Sequence, residues 1–449
     1  MKKTSVNMTQ GNINRQLLGF AIPTILGNLF QLTYNAADSI IIGRFAGKEA
    51  LAAVGTANPL MNIILFFIIG ICLGASVLMS EFYGAGDIDK LKKEISTAML
   101  CGGVFTFIVS AVFIVMAKPM LILMRTPQAI VASAASYLHI ILLGLIFTFL
   151  YNIFAAALKS IGDSRTPIVF LALASVLNVC LDIIFIKLCG WGVRGAALAT
   201  VIAEAVSGLL CVVYVYKNIT VIQINRNQWH IDKQLLKSTL SYSWASAMQQ
   251  TCLYVGKVLV QAAVNPLGVD SIATFNAVNR IDDFAFTPQQ SIGHSITVFT
   301  AQNRGAKNTP RMTKGFAKGM RMETIYGIFI GIVIFAAADP LMGIFVAKEG
   351  AQVVALGVSY LRLMAFFYIL PAFTNGIQGY FRGMGQMQTT LICTTIQIIG
   401  RVVCAYPLAA YMGLTGIAYS CGAGWIFMLL YEVPILIKLL RQQKAEQLQ

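Results

Sequence analysis

Charge is what this sequence has least of. Only 11% of its 449 residues are Asp, Glu, Lys or Arg, against about 25% in an ordinary soluble domain. So few charges cannot cover a water-facing surface, which excludes a soluble globular chain of this length. Its three histidines, His139, His230 and His294, form no cluster in sequence, and its nine cysteines include no C-x-x-C pair. An odd, scattered set of cysteines in apolar surroundings fits small buried hydrophobes better than disulfides or a metal site. No G-x-x-x-x-G-K-[ST] run occurs, so no P-loop is expected. The first residues, MKKTSVNMTQGNINRQ, lead into an apolar segment without the short apolar core and small-residue cleavage site of a secretory signal. The amino terminus is therefore expected in the cytoplasm.

What the chain has instead is length without polarity. It is 57% hydrophobic with a mean hydropathy of +0.74, and apolar runs of 20 or more recur along nearly all of it. The fold class expected is an all-α polytopic membrane protein with twelve transmembrane helices in two parallel six-helix repeats around a central cavity. The spans fall near 16–40, 57–80, 94–116, 134–158, 167–187, 194–216, 237–263, 271–300, 317–338, 353–380, 388–411 and 414–438. A net charge of +15 could point to nucleic acid, but its placement does not. Of 33 Lys and Arg, 22 lie in, or at the span ends bordering, the segments that are cytoplasmic if the chain starts inside. Seven lie in outer loops or at the span ends bordering them (Arg44, Lys48, Lys118, Arg125, Lys187, Arg194, Lys348) and four deeper in spans (Lys257, Arg280, Arg362, Arg401). That bias places both termini in the cytoplasm and leaves the lipid bilayer, not nucleic acid, as the expected environment.

The chain also resembles itself. GKEALAAVG (47–55) parallels GVDSIATFN (268–276), and YGAGD (83–87) parallels RGAKN (304–308), both at an offset of 221. KSIGDSRTP (159–167) and RGMGQMQTT (382–390) are offset by 223, and GVRGAALAT (192–200) and GLTGIAYSC (413–421) by 221. Each match is weak, and their common order and spacing carry the inference of a repeat. Six spans per half give both halves the same orientation, so substrate is expected near the midplane between them, with alternating access by rocking. The division expected is an N-terminal lobe (1–220), a polar cytoplasmic connector (221–236) and a C-terminal lobe (237–449).

An acid at the centre of a span costs about 2.5–3.5 kcal/mol, so each intramembrane carboxylate is a candidate for function. Glu323 and Glu432 lie toward cytoplasmic span ends and read as structural ion pairs or as residues near water. The first half differs. QLTYNAADSIII (31–42) places Gln31, Tyr34, Asn35 and Asp38 in span one, with Gln31, Tyr34 and Asp38 on one helical face. Span four adds Asn152, span five Asn178 and Asp182, and span six Thr200 and Glu204. The last two pairs are each four residues apart and share a face. By the repeat offsets Asp38 maps to Leu259, Asn178 to Arg401 and Asp182 to Ala405. Acids kept in one half only favour a dedicated ion site over a packing requirement. Carboxylates with amide and hydroxyl oxygens suit a hard cation, and a close carboxylate pair can equally carry a proton.

At these residues the chain resembles prokaryotic members of the MATE family, the multidrug and toxic compound extrusion transporters. The likeness runs over essentially the full length, including the YGAGD and QNRGAKN loops and Lys159-Ser160-Ile161-Gly162-Asp163 after span four. It implies a coupling-ion site, for H⁺ or Na⁺, at Asp38, Asn178, Asp182 and Thr200. It further implies a cavity lined by Gln31, Tyr34 and Asn152, beside Glu204, and a hinge at Pro23. Some branches bind a cation through acids in spans seven and ten, but here those spans hold no Asp or Glu. Asp282 matches an acidic position of the C-lobe cavity; with Asp283 and Arg280 it forms either a local ion pair or a cation-attracting patch.

The function expected is secondary active efflux of small organic cations by cation antiport, by a monomeric multi-pass protein of a bacterial or archaeal cell membrane. No cofactor beyond the coupling cation is called for, and no enzyme activity. Two alternatives stand beside it. A lipid or lipid-linked oligosaccharide flippase would use the cationic Lys257, Arg280 and Arg401. A prenyltransferase-like enzyme would need a second Asp-rich motif, which the sequence lacks.

Overall fold

The structure, a computed structural model, describes residues 7–345 and 350–446. Backbone polar groups in hydrocarbon must find their partners within the segment, and helix achieves this. Thirteen α-helices form, with no strand among the described residues. They are α1 (Ile13–Ile41), α2 (Lys48–Gly84), α3 (Ile88–Leu123), α4 (Gln128–Ser160), α5 (Arg165–Asp182), α6 (Gly192–Asn218), α7 (Lys233–Val264), α8 (Val269–Gly305), α9 (Thr309–Phe345), α10 (Ala351–Phe367), α11 (Ile369–Gly383), α12 (Met387–Met412) and α13 (Leu414–Glu446). Among the described residues nine helices are long and apolar enough to cross a membrane, and α10 with α11, bent by 46°, makes a tenth. The protein is thus a multi-pass membrane protein.

The other two expected spans, α7 and α8, are long at 32 and 37 residues but fall short in hydropathy. Several of their polar side chains turn inward. Gln249, Gln289, Gln302 and Asn303 are all buried. Gln289 Nε2 donates to the Tyr368 carbonyl at 3.0 Å, and Asn303 Nδ2 to the Phe299 carbonyl at 2.8 Å. Hydropathy counts such residues as though they faced the solvent, and so underrates a span whose polar groups are satisfied internally.

Backbone geometry bears out the internal repeat. Left-handed φ values occur at Gly47 and Gly268 (87° and 95°), at Gly162 and Gly385 (83° and 77°), and at Gly192 and Gly413 (52° and 59°). Gly86 (74°) pairs with Lys307 (55°). Each pair occupies equivalent positions in one of the four matched stretches, so the same turns open the same helices twice. The caps repeat as well: Asp87 Oδ1 accepts from the Lys90 N–H at 3.0 Å, and Asn308 Oδ1 from the Arg311 N–H at 3.1 Å. That contact and the nearby Lys90 ammonium hold the Asp87 carboxyl below its ordinary range.

By packing, the chain divides into two compact units, 26–247 and 248–449, the second also taking 7–25. The division within α1 falls after Ile25, two residues beyond Pro23, which lies inside the helix. In the first unit α4 packs on α2, α3 and α6, and α5 lies on α6. Here Ser96 Oγ donates to the His230 carbonyl at 3.0 Å, and Thr97 Oγ1 accepts from the Asp232 N–H at 3.0 Å. These bonds tie the polar segment before α7 to the start of α3. In the second unit α8, α9 and α11 pack together, and α12 lies along α13.

Candidate functional site

Small residues in the first unit let side chains of neighbouring helices approach closely. Gly27 of α1 has no side chain, and Ile168 of α5 occupies the space; a Cβ there would lie 2.6 Å from the isoleucine. Gly144 of α4 likewise admits Val201 of α6. Small residues of this kind let helices approach closely.

Asp182 and Asn178 are both fully buried in α5, while Asp38 in α1 is half-buried. The Asp38 and Asp182 carboxyls lie within hydrogen-bonding reach of each other. Oδ1 of each is buried and faces no donor among the described residues. With its amide nitrogen turned toward the carboxylate, Asn178 donates to Asp182 Oδ2 at 3.0 Å, and its oxygen accepts from the Thr200 N–H at 3.0 Å. Thr200 Oγ1 donates to the Ala196 carbonyl at 3.1 Å, leaving its lone pairs available. Two carboxyls in contact cannot both carry an unshielded negative charge, so the pair needs a shared proton or a cation between the oxygens.

A second ring of groups surrounds the pair. Thr148 Oγ1 donates to Glu204 Oε2, and Asn152 Nδ2 donates to the Thr148 carbonyl at 2.8 Å. Tyr34 is half-buried, and its phenol and that of Tyr137 lie in electrostatic range of Asp38, Asp182 and Glu204. Gln31 is exposed. The side chain of Asn35 lies outside the described residues, as does Lys348. Tyr137 and Thr148 were not picked out from the sequence. Both lie with Asn152 on one face of α4, at spacings of eleven and four, and that periodicity was the available signal.

Both acid-bearing helices run directly into π-helical turns, Ile42–Ala46 after α1 and Ile183–Leu188 after α5, and the two turns touch. Such turns are rare and concentrate at functional sites. Lys187 Nζ stands 5.2 Å from the centre of the Phe45 ring across this contact.

In the second unit Asp282 is buried and accepts a hydrogen bond from Tyr368, the residue at the α10–α11 bend. Asp283 does not form its ion pair with Arg280 of its own helix. It pairs with Lys257 of α7 at 2.9 Å. Arg401 is half-buried and lies against Cys421, which contacts the Tyr360 hydroxyl at 3.8 Å. Glu323 and Glu432 depart from the sequence reading. Both are fully buried and neither has an ion-pair partner among the described residues; the Gly293 backbone lies beside Glu323 and the Gln378 side chain beside Glu432. Among the described residues no group of three or more His, Cys, Asp or Glu could hold a metal ion.

The family model MatE matches the chain twice, over residues 23–184 and 245–407. Probable multidrug resistance protein YpnP of Bacillus subtilis is 28% identical over 94% of each chain. Probable multidrug resistance protein NorM of Thermotoga maritima is 24% identical over 90% of this chain and 88% of its own. Among solved structures, a MOP superfamily transporter from Pyrococcus furiosus, described as having a binding pocket of reverse polarity, superposes with a TM-score of 0.91 at 22% identity over 99% of each chain. An outward-facing multidrug resistance MATE family transporter superposes with a TM-score of 0.89 at 22% identity, again over 99% of each.

Proposed function

The chain belongs to the MatE family, and from that premise we propose that it is a secondary active exporter of small organic cations, driven by antiport of H⁺ or Na⁺. The observation that carries the reading is the contact between Asp38 and Asp182, which requires one positive charge between two carboxyls. Asn178 and Thr200 complete an oxygen-rich set suited to a hard monovalent cation or a proton. The relatives named for multidrug resistance support the cargo class. The chain itself supplies adaptable apolar and aromatic surface in 27 Phe, 16 Tyr and 18 Met.

In this reading the cation enters from outside and settles between Asp38 and Asp182. Binding draws α1 toward α5, α1 bends at Pro23, and the drug is released outward through an alternating-access path between the two six-helix lobes (1–220 and 237–449). Coupling follows because the ion and the drug favour different states of the same lobe. The available drive is about 2.3 kcal/mol per charge per 100 mV, plus about 1.4 kcal/mol per tenfold ion gradient. The protein acts as a monomer with both termini in the cytoplasm, without a resident cofactor and without enzyme chemistry. A flippase would need free cationic groups to meet anionic headgroups, but Lys257 is paired with Asp283.

Transport of a fluorescent organic cation into proteoliposomes, under Na⁺ and H⁺ gradients imposed separately, tests the proposal. One of the two gradients should drive movement against the dye's own gradient. If neither does, antiport is wrong.

A further inference from the structure

The second unit carries a polar stripe that its own helices leave uncovered. On α8, Asn276, Arg280 and Gln290 are exposed and Asp283 is half-buried, at spacings that put all four on one helical face. The exposed face of α9 has the opposite character, with Ile325, Ile328, Phe329 and Ile332. Hydrocarbon suits the α9 face, whereas a guanidinium, a carboxylate and two amides turned to lipid are too costly to persist. The α8 stripe therefore faces water within the membrane-spanning part of the chain.

Along that stripe the charges do not balance. Asp283 Oδ1 takes the Lys257 ammonium of α7 at 2.9 Å. Asp282, on the buried side of α8, accepts from the Tyr368 hydroxyl and has Arg401 of α12 in electrostatic range. Both acids of this stretch are thus engaged by other groups. Arg280 stands about three turns inside α8, and its guanidinium has no ion-pair or hydrogen-bond partner among the described residues. One positive charge is left in excess, on the side chain whose five donors form a planar fork. That fork matches a carboxylate in two parallel hydrogen bonds. Asp283, one turn along the same face, repels a second negative charge, so a monoanion is preferred to a phosphate dianion. Phe284 is 41% exposed next to Asp283 and offers a ring to an aromatic body.

We propose that Arg280, with the Asn276 amide one turn away, binds a carboxylate of the cargo, so that the exporter takes zwitterionic aromatic compounds as well as simple organic cations. This rests on the export reading above and extends its cargo class.

The test compares tetramethylrhodamine, a zwitterion, with its methyl ester, which keeps the cation and masks the carboxylate. Binding of each is read by fluorescence anisotropy on the purified full-length protein in phosphatidylcholine nanodiscs. Arg280→Gln should weaken binding of the free acid about tenfold or more while leaving the ester within about twofold. Arg280→Lys, which keeps the charge and loses the fork, should fall between. Retained binding of the ester shows that each variant folds. The proposal is overturned if the unaltered protein does not bind the free acid, or if Arg280→Gln leaves its affinity unchanged or weakens both dyes equally. It is overturned as well if adding phosphatidylglycerol to the nanodiscs abolishes binding of the free acid, since Arg280 would then hold a lipid headgroup. Failure of the export reading looks different: the free acid would bind with the expected dependence on Arg280, yet neither an Na⁺ nor an H⁺ gradient would move either dye into proteoliposomes.

Discussion

At the scale of single residues, the arrangement rests on where charge is left uncompensated. Asp38 and Asp182 touch, and each keeps one buried oxygen facing no donor. Asparagine at either position preserves size and hydrogen bonding but removes the charge that attracts a cation. Asp38→Asn and Asp182→Asn should each abolish efflux while leaving a monodisperse, helical protein, read from dye transport and size-exclusion chromatography. A normally active double variant would end the ion-site assignment. Thr148 serves differently, since it supplies the hydroxyl that Glu204 accepts. Thr148→Val should leave a buried carboxyl without its donor and cost about 1–3 kcal/mol, seen as a lower melting temperature, with a smaller effect on transport than Asp182→Asn. The carboxylate positions themselves were legible in the sequence, because an acid amid apolar residues stands out. Tyr137 and Thr148 were not, because an aromatic or a hydroxyl in a span is ordinary until its helix face is known.

At the scale of elements, close helix approach and turn geometry decide the site's shape. Gly27 lets Ile168 reach the α1 backbone, and a larger residue there would collide with it. Gly27→Leu should push α1 from α5, costing about 1–3 kcal/mol from overpacking and abolishing transport with helix content intact by circular dichroism. The repeated turns make a second prediction. Lys307 holds φ at 55° where its partner Gly86 holds 74°, and a side chain in that region costs about 1–2 kcal/mol. Lys307→Gly should therefore stabilise the protein and Gly86→Ala destabilise it, each by about 1 kcal/mol, measured by thermal unfolding in matched detergent. Element existence was readable from hydropathy and turn residues. The polar character of α7 and α8 made them the weakest of the spans by composition, although both form long helices.

At the scale of the molecule, the family and the double match explain why chemistry can be lopsided. Two copies of one scaffold need not carry the same site: Asn178 and Asp182 correspond to Arg401 and Ala405, and the acids that remain in the second unit sit elsewhere. On the proposed reading the energy comes from the membrane gradient, and the sequence carries no P-loop motif that would suggest a nucleotide drive. Adding ATP and Mg²⁺ to proteoliposomes should leave the transport rate unchanged, whereas an ionophore that collapses the driving gradient should abolish it. A nucleotide-stimulated rate would refute secondary transport.

Local signals in the sequence were sufficient for the all-helical membrane class, the repeat and the candidate acids of the first half. Apolar run length, turn glycines and isolated carboxylates are each visible within a few residues. Partnership between helices was not. A span that is apolar on every side carries little information about its own rotation, so which side chains meet is set by packing alone. Only the tertiary structure put Asp38 against Asp182, gave Asp283 to Lys257 rather than Arg280, and enclosed Glu432 among amides without an ion partner. In hydrocarbon such pairings depend on how closely helices can approach, as where Gly27 of α1 leaves room for Ile168 of α5.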